Sequence, residues 1–164
     1  MAQRIVEDEF DRDRLLAFIA KQEPPFTVNV STGGRRSIAQ NRLIHLWMGE
    51  IAEQLPGTFE SPEQVRGYSK LHFGVPILRE VDEHFREVYD KQIKPLPYDL
   101  KIACMMEPIA LPVTSRMNTK QLSAYLDAVH REFSTQGVEL TIPEDKSLDW
   151  RPTPPVSAYV EENA

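Results

Sequence analysis

The sequence predicts an α+β fold: mostly helical, with a small β-sheet. It predicts a single compact domain over residues 1–143 and an acidic, proline-rich C-terminal tail over residues 144–164. Three observations carry that expectation. Several segments place apolar residues at the three- and four-residue spacing of a helix with one buried face. Two short segments, 26–30 and 138–142, read as strands, the first alternating with period two and rich in β-branched residues. Finally, 164 residues with 41% hydrophobic and 27% charged content suit one ordinary globular core rather than two.

The elements follow in order. Residues 11–22 predict a helix on Leu15, Leu16, Phe18 and Ile19, stopped by Pro24 and Pro25. After the 26–30 strand comes a Gly33-Gly34 turn and a second helix, whose start is set at Ser37 by the capping-box spacing to Gln40. Ile44, Trp47, Met48, Ile51 and Leu55 form its buried stripe. Ser61-Pro62-Glu63-Gln64 opens a helix to about Phe73, with proline at its first position, and Gly74-Val75-Pro76 is expected to break the chain. One further helix is expected on Leu78, Val81, Phe85 and Val88. Residues 101–106 fit a short helix or a strand equally well. Met117, Asn118 and Gln121 carry cap signals for a last helix on Leu122, Tyr125, Leu126, Val129 and Phe133, with Gly137 placed to end it. Beyond Pro143 the periodicity stops, and the tail is expected to add little to the fold unless Trp150 and Tyr159 anchor it on the body or on a partner.

Charge is uneven. The net charge is −6, which excludes a protein coated in basic residues, so any nucleic-acid surface is local. Residues 24–49 sum to +3 with no acid among them, through Arg35, Arg36 and Arg42. Residues 91–120 also sum to +3, through Lys91, Lys94, Lys101, Arg116 and Lys120. The single cysteine, Cys104, excludes an internal disulfide and a cysteine-based zinc site. No apolar run has membrane-spanning length, and the acidic opening is unlike a signal peptide, so a soluble intracellular protein is expected.

Catalytic signatures are mostly absent. The one Gly-Gly pair lacks the Lys-Ser/Thr of a phosphate-binding P-loop, and His45, His72, His84 and His130 show no paired-ligand spacing. Glu80, Glu83, His84 and Glu87 crowd one expected helix, either as a metal-dependent site or as a solvated acidic face. Residues 33–47 differ. Two glycines precede a helix N-terminus flanked by Arg35 and Arg36, a combination that favours an anion such as phosphate. Gln40 extends the buried stripe, so its amide needs partners either inside the fold or on a ligand.

Arg36-Ser37-Ile38-Ala39-Gln40-Asn41-Arg42 resembles the RSxxQNR signature of the lambda-type phage NinB/Orf recombination proteins. Thr114-Ser115-Arg116-Met117, then an amphipathic helix, then Gly137-Val138, is similar to a second block of that family in the same order. The resemblance covers roughly residues 26–55 and 112–143. It implies a homodimeric recombination mediator that binds single-stranded DNA, assists recombinase loading and contacts the host single-strand-binding protein in the host cytoplasm. It implies no catalysis, cofactor, metal or membrane. The DNA-binding residues it and the charge pattern suggest are Arg35, Arg36, Ser37, Gln40, Asn41, Arg42, His45, Lys94, Lys101, Arg116 and Lys120. Where the family often has an aromatic five positions after its glutamine, this chain has His45, with Trp47 two further on. The competing readings are a metal-dependent nuclease built on the Glu80–Glu87 cluster and an interaction module docking a replication or single-strand-binding protein.

Overall fold

In the computed structural model, residues 4, 6, 8–30, 35–144, 148 and 150–152 are described, with the side chains of 35–38 excepted. The chain forms two compact units, Met1–Arg35 and Arg36–Ala164. The first holds helix α1, Glu9–Ala20, begun by the Asp8 carboxylate accepting from the Asp11 amide at 2.8 Å. Acids in its first turn, Glu9 and Asp11, suit the positive end of the helix dipole. None of its residues is buried, and Phe10 and Leu16 stand exposed. Residues 26–30 form no strand, and Val30 is 84% exposed.

The second unit is built from α2 (Arg35–Gln54), α3 (Pro62–Ser69), a π-helical turn (Lys70–Gly74), α4 (Val75–Val81), α5 (Glu83–Gln92), α6 (Tyr98–Met105) and α7 (Thr119–Thr135). Among the described residues it contains no strand, which corrects the α+β expectation to a helical fold. The reason lies in how residues 138–142 find partners. Val138 is buried, Glu139 exposed and Leu140 half-buried, but Ile142 is exposed and the backbone pairs with α2 side chains. Glu139 N–H donates to Gln54 Oε1 at 2.8 Å, and Gln54 Nε2 donates back to the Glu139 carbonyl at 2.7 Å. Thr141 N–H donates to Glu50 Oε2 at 2.9 Å, and the Trp47 indole N–H donates to the Thr141 carbonyl at 2.7 Å. Helix side chains thus do what a neighbouring strand does in a ladder.

The expected break at Gly74 is also absent: helical backbone runs on from α3 through the π turn into α4. Pro76 lacks an N–H and its ring crowds the carbonyl one turn back; the wider π turn just before it accommodates both. Gly74 serves close packing instead, since a Cβ there would lie 2.5 Å from Val113 Cγ1. Conversely, the single helix expected across Leu78–Val88 is two. Asp82 leaves helical geometry (φ −117°, ψ 100°) and caps α5 by accepting from the Phe85 amide at 2.9 Å. Arg79 of α4 then clasps Asp90 of α5 through two bonds of 2.7 and 2.8 Å. The undecided segment 101–106 lies mostly in α6.

α7 follows its sequence signals closely. Asn118 and Gln121 form a reciprocal capping box. At the other end Gly137 (φ +82°) completes a Schellman motif, with Val138 N–H on the Phe133 carbonyl and Gly137 N–H on the Ser134 carbonyl. One apolar cluster joins Trp47, Met48 and Ile51 of α2 to Leu122, Tyr125, Leu126, Val129 and Phe133 of α7. A second gathers Leu71, Val75, Leu78, Phe85, Tyr89, Met105 and Val113. Leu148 and Trp150 belong to the first cluster, so the segment expected to stand apart contributes to the core. Trp150 packs edge-on against Trp47, centroids 5.1 Å apart, and its indole N–H donates to Asp127 at 2.7 Å.

Candidate nucleic-acid interface

α2 divides the RSxxQNR-like block between two faces. Helical backbone begins at Arg35, two residues ahead of the expected Ser37, and the side chains of Arg35, Arg36 and Ser37 lie outside the described residues, as do Gly33 and Gly34. Gln40 points inward. It is 0% exposed and its Nε2 donates to Ser123 Oγ at 2.8 Å and, more weakly, to the Thr119 carbonyl at 3.5 Å. Among the described residues its Oε1 has no hydrogen-bond partner. Asn41, Arg42 and His45 point outward, on the face opposite Leu43, Ile44 and Trp47. The first block therefore meets the helix of the second block, through a buried amide rather than an exposed one.

The outward face gains a cation that the sequence reading did not single out. Arg66 of α3 brings its Nη2 to 3.1 Å from the His45 ring, with the Glu63 carboxylate 3.8 Å from Nη1. Partial burial lowers the His45 pKa, and the positive charge of Arg66 lowers it further, so the ring is neutral near pH 7 and accepts from the guanidinium. Arg42, one helical turn before His45, lies at the rim of an apolar groove with Ala39, Leu43, Leu46, Pro143 and Leu148. Trp47 is fully buried and hydrogen-bonded to Thr141, so it offers no ring face to a ligand.

The remaining basic residues do not gather on this face as one set. Arg116 closes the 3-10 turn Thr114–Arg116 and pairs with Asp82 at 2.9 Å, in the wall of an open depression with Glu83, Asn118 and Gln121. That pairing and the cap bond to Phe85 hold the Asp82 carboxyl below its usual range. Met117 packs between the two apolar clusters. Lys94 lies near Asp90, Lys101 near His72, and Lys120 is exposed beside Thr119 at the start of α7. Lys70 is buried and donates to the Met105 carbonyl at 2.8 Å, a structural use of its ammonium.

Glu80 lies on α4 and Glu83, His84 and Glu87 lie on α5, separated by the bend at Asp82. Among the described residues no group of three or more His, Cys, Asp or Glu side chains is disposed to hold a metal ion. No protein-family model, curated protein or solved structure matches the chain.

Proposed function

We propose that this chain is a phage recombination mediator that binds single-stranded DNA, assists the loading of a recombinase and performs no catalysis itself. One observation supports the reading above the others. The first of the two blocks that resemble the NinB/Orf proteins meets the helix of the second through Gln40, Thr119 and Ser123, and with Gln40 turned inward Asn41, Arg42 and His45 face outward, His45 beside Arg66. The outward groups can meet phosphate oxygens and base edges, while Gln40 fixes the helix that carries them. A homodimer, contact with a host single-strand-binding protein and a cytoplasmic location belong to the same reading. No helix among the described residues is long and apolar enough to cross a membrane.

A titration with single-stranded and duplex DNA at two salt concentrations, with and without Mg²⁺, tests it. The expected result is binding to single strands that weakens with salt, with a log–log slope of roughly −0.7 per phosphate neutralised. Arg42→Ala and Arg66→Ala should each make that slope shallower. Cleavage in Mg²⁺ would replace this reading with the nuclease, and absence of binding at low salt would replace it with a protein-interaction module.

A further inference from the structure

Arg66 and Tyr68 stand two positions apart on α3 and so point to different sides of the helix. On the Tyr68 side, three rings, from α3, the π turn and α6, step from the core to the surface. Tyr68 is anchored by Phe59, Phe73 and Phe133, with centroids 5.5, 6.0 and 6.2 Å away. His72, in the π turn, lies against Tyr68 with centroids 4.2 Å apart and planes tilted by 34°. Tyr98, which opens α6, comes next: its ring centroid is 5.8 Å from His72, its hydroxyl 2.9 Å from His72 Nε2, and it is 51% exposed.

Two features make this more than a surface tyrosine. The hydrogen bond to His72 ties the Tyr98 ring in one orientation, so a flat ligand stacking on it meets a ring already ordered. Lys101 follows one helical turn after Tyr98 on α6, which puts an ammonium on the same side as the ring. Charges facing the rings are Lys101 and Glu132. Burial lowers the His72 pKa, with Glu132 opposing and Lys101 assisting, so His72 presents a neutral ring near pH 7. Glu132 also lies near Tyr68 and repels a phosphate from the inner end of the row, leaving the Lys101 side for it.

We propose that Tyr98, backed by His72, is a stacking step for one unpaired nucleobase, with Lys101 taking the adjoining phosphate. This rests on the reading of the chain as a single-strand binder and extends its surface beyond the matched blocks to α6. A flat, π-faced group next to an anionic linker is the chemistry that a ring and a neighbouring ammonium recognise together. Duplex DNA hides its base faces within the stack, so the step discriminates single strands from duplex.

The test is fluorescence anisotropy of a dye-labelled oligothymidylate with the full chain and its Tyr98→Ala, Tyr98→Phe, Tyr98→Leu and Lys101→Ala variants, melting temperatures being recorded alongside. Tyr98→Ala should lose about tenfold in affinity for the single strand with an unchanged salt slope, and Tyr98→Phe should stay within about twofold. Lys101→Ala should make the slope shallower by about 0.7. Tyr98→Leu keeps apolar bulk without a π-face and replaces the alanine variant if that one loses its fold. Undiminished affinity in Tyr98→Leu or Tyr98→Ala, with salt-sensitive binding by the parent chain, overturns the stacking step and leaves the single-strand reading standing. No binding by the parent chain overturns both.

Discussion

The side-chain amide of Gln54 closes a two-bond ring with the backbone of Glu139, donating to its carbonyl and accepting from its N–H. The geometry is that of one rung of a β-ladder, supplied by a helix. Gln54→Ala leaves both backbone groups to water at this exposed edge. The expected cost is about 1–2 kcal/mol, read as a lower midpoint in urea with an unchanged slope. Gln54→Glu accepts from the N–H but cannot donate to the carbonyl, and should fall between the two.

Gln40 and Ser123 couple α2 to α7. Gln40→Ala and Ser123→Ala should each lower the melting temperature, and the double variant should lose less than the two singles together. A coupling of about 1 kcal/mol in the double-mutant cycle is the expected reading. Strict additivity would mean that the 2.8 Å contact contributes nothing to stability.

Tyr125 presents the opposite case. Among the described residues its buried hydroxyl has no hydrogen-bonding partner of good geometry, and the Ser69 hydroxyl lies close to it. Burial pushes the phenol far up its scale, with Ser69 and then Arg66 opposing, so it stays protonated. Tyr125→Phe removes an unsatisfied polar group while keeping the ring, and should be neutral or stabilising by up to about 1 kcal/mol. Thermal melting of the variant checks this, and a large drop would show that the hydroxyl is bridged.

Stability should fall on mild acidification. His45, His72 and His130 all have pKa values lowered from 6.5, burial being the largest cause in each. A histidine that binds its proton less well folded than unfolded adds stability above the unfolded value. That stability is lost as pH falls through the folded one. Melting temperature should therefore be flat above about pH 7 and decline below about 6.5. Asp82 and Asp90 are shifted below 3.8 by Arg116 and Arg79, so their share is lost only in much stronger acid.

Trp150→Ala should cost about 3–5 kcal/mol, the usual price of emptying a large buried aromatic site. Truncation after Pro143 should cost at least as much, because it also removes Leu148. A variant melting within a degree or two of the parent would show that Trp150 is not part of the cooperative unit.

The helices were legible where buried stripes and caps agreed, as in α7, and from the stripe alone in α2, whose backbone turns helical two residues before the expected Ser37. The expected sheet was a misreading, because period-two alternation reports one buried face and is silent on whether a strand or a helix supplies the partners. Gly74 was misread since a glycine admitting Val113 looks, in sequence, like one that breaks a helix. The bend at Asp82 was hidden by a stripe whose spacing continues across it, even though Val81 and Val88 prove exposed. Leu148 and Trp150 carry no periodicity, so the only sequence signal for their burial was the size of the Trp150 ring, which can anchor the tail. At the candidate interface, position in the matched block did not separate Gln40, which turns inward, from Asn41 and Arg42, which turn outward. Arg66 and Tyr98 were missed because they stand outside those blocks and reach the surface only through tertiary packing.

The contact between Trp47 and Trp150 has a consequence for synthesis. About a hundred residues separate the two indoles, so during translation the first emerges long before the one that covers it. At ordinary elongation rates the interval is roughly 5 to 20 s. Throughout it the apolar face of α2 lacks its last covering side chain, a transiently exposed surface of the kind that favours aggregation. A chain that stops before Trp150 keeps that face uncovered.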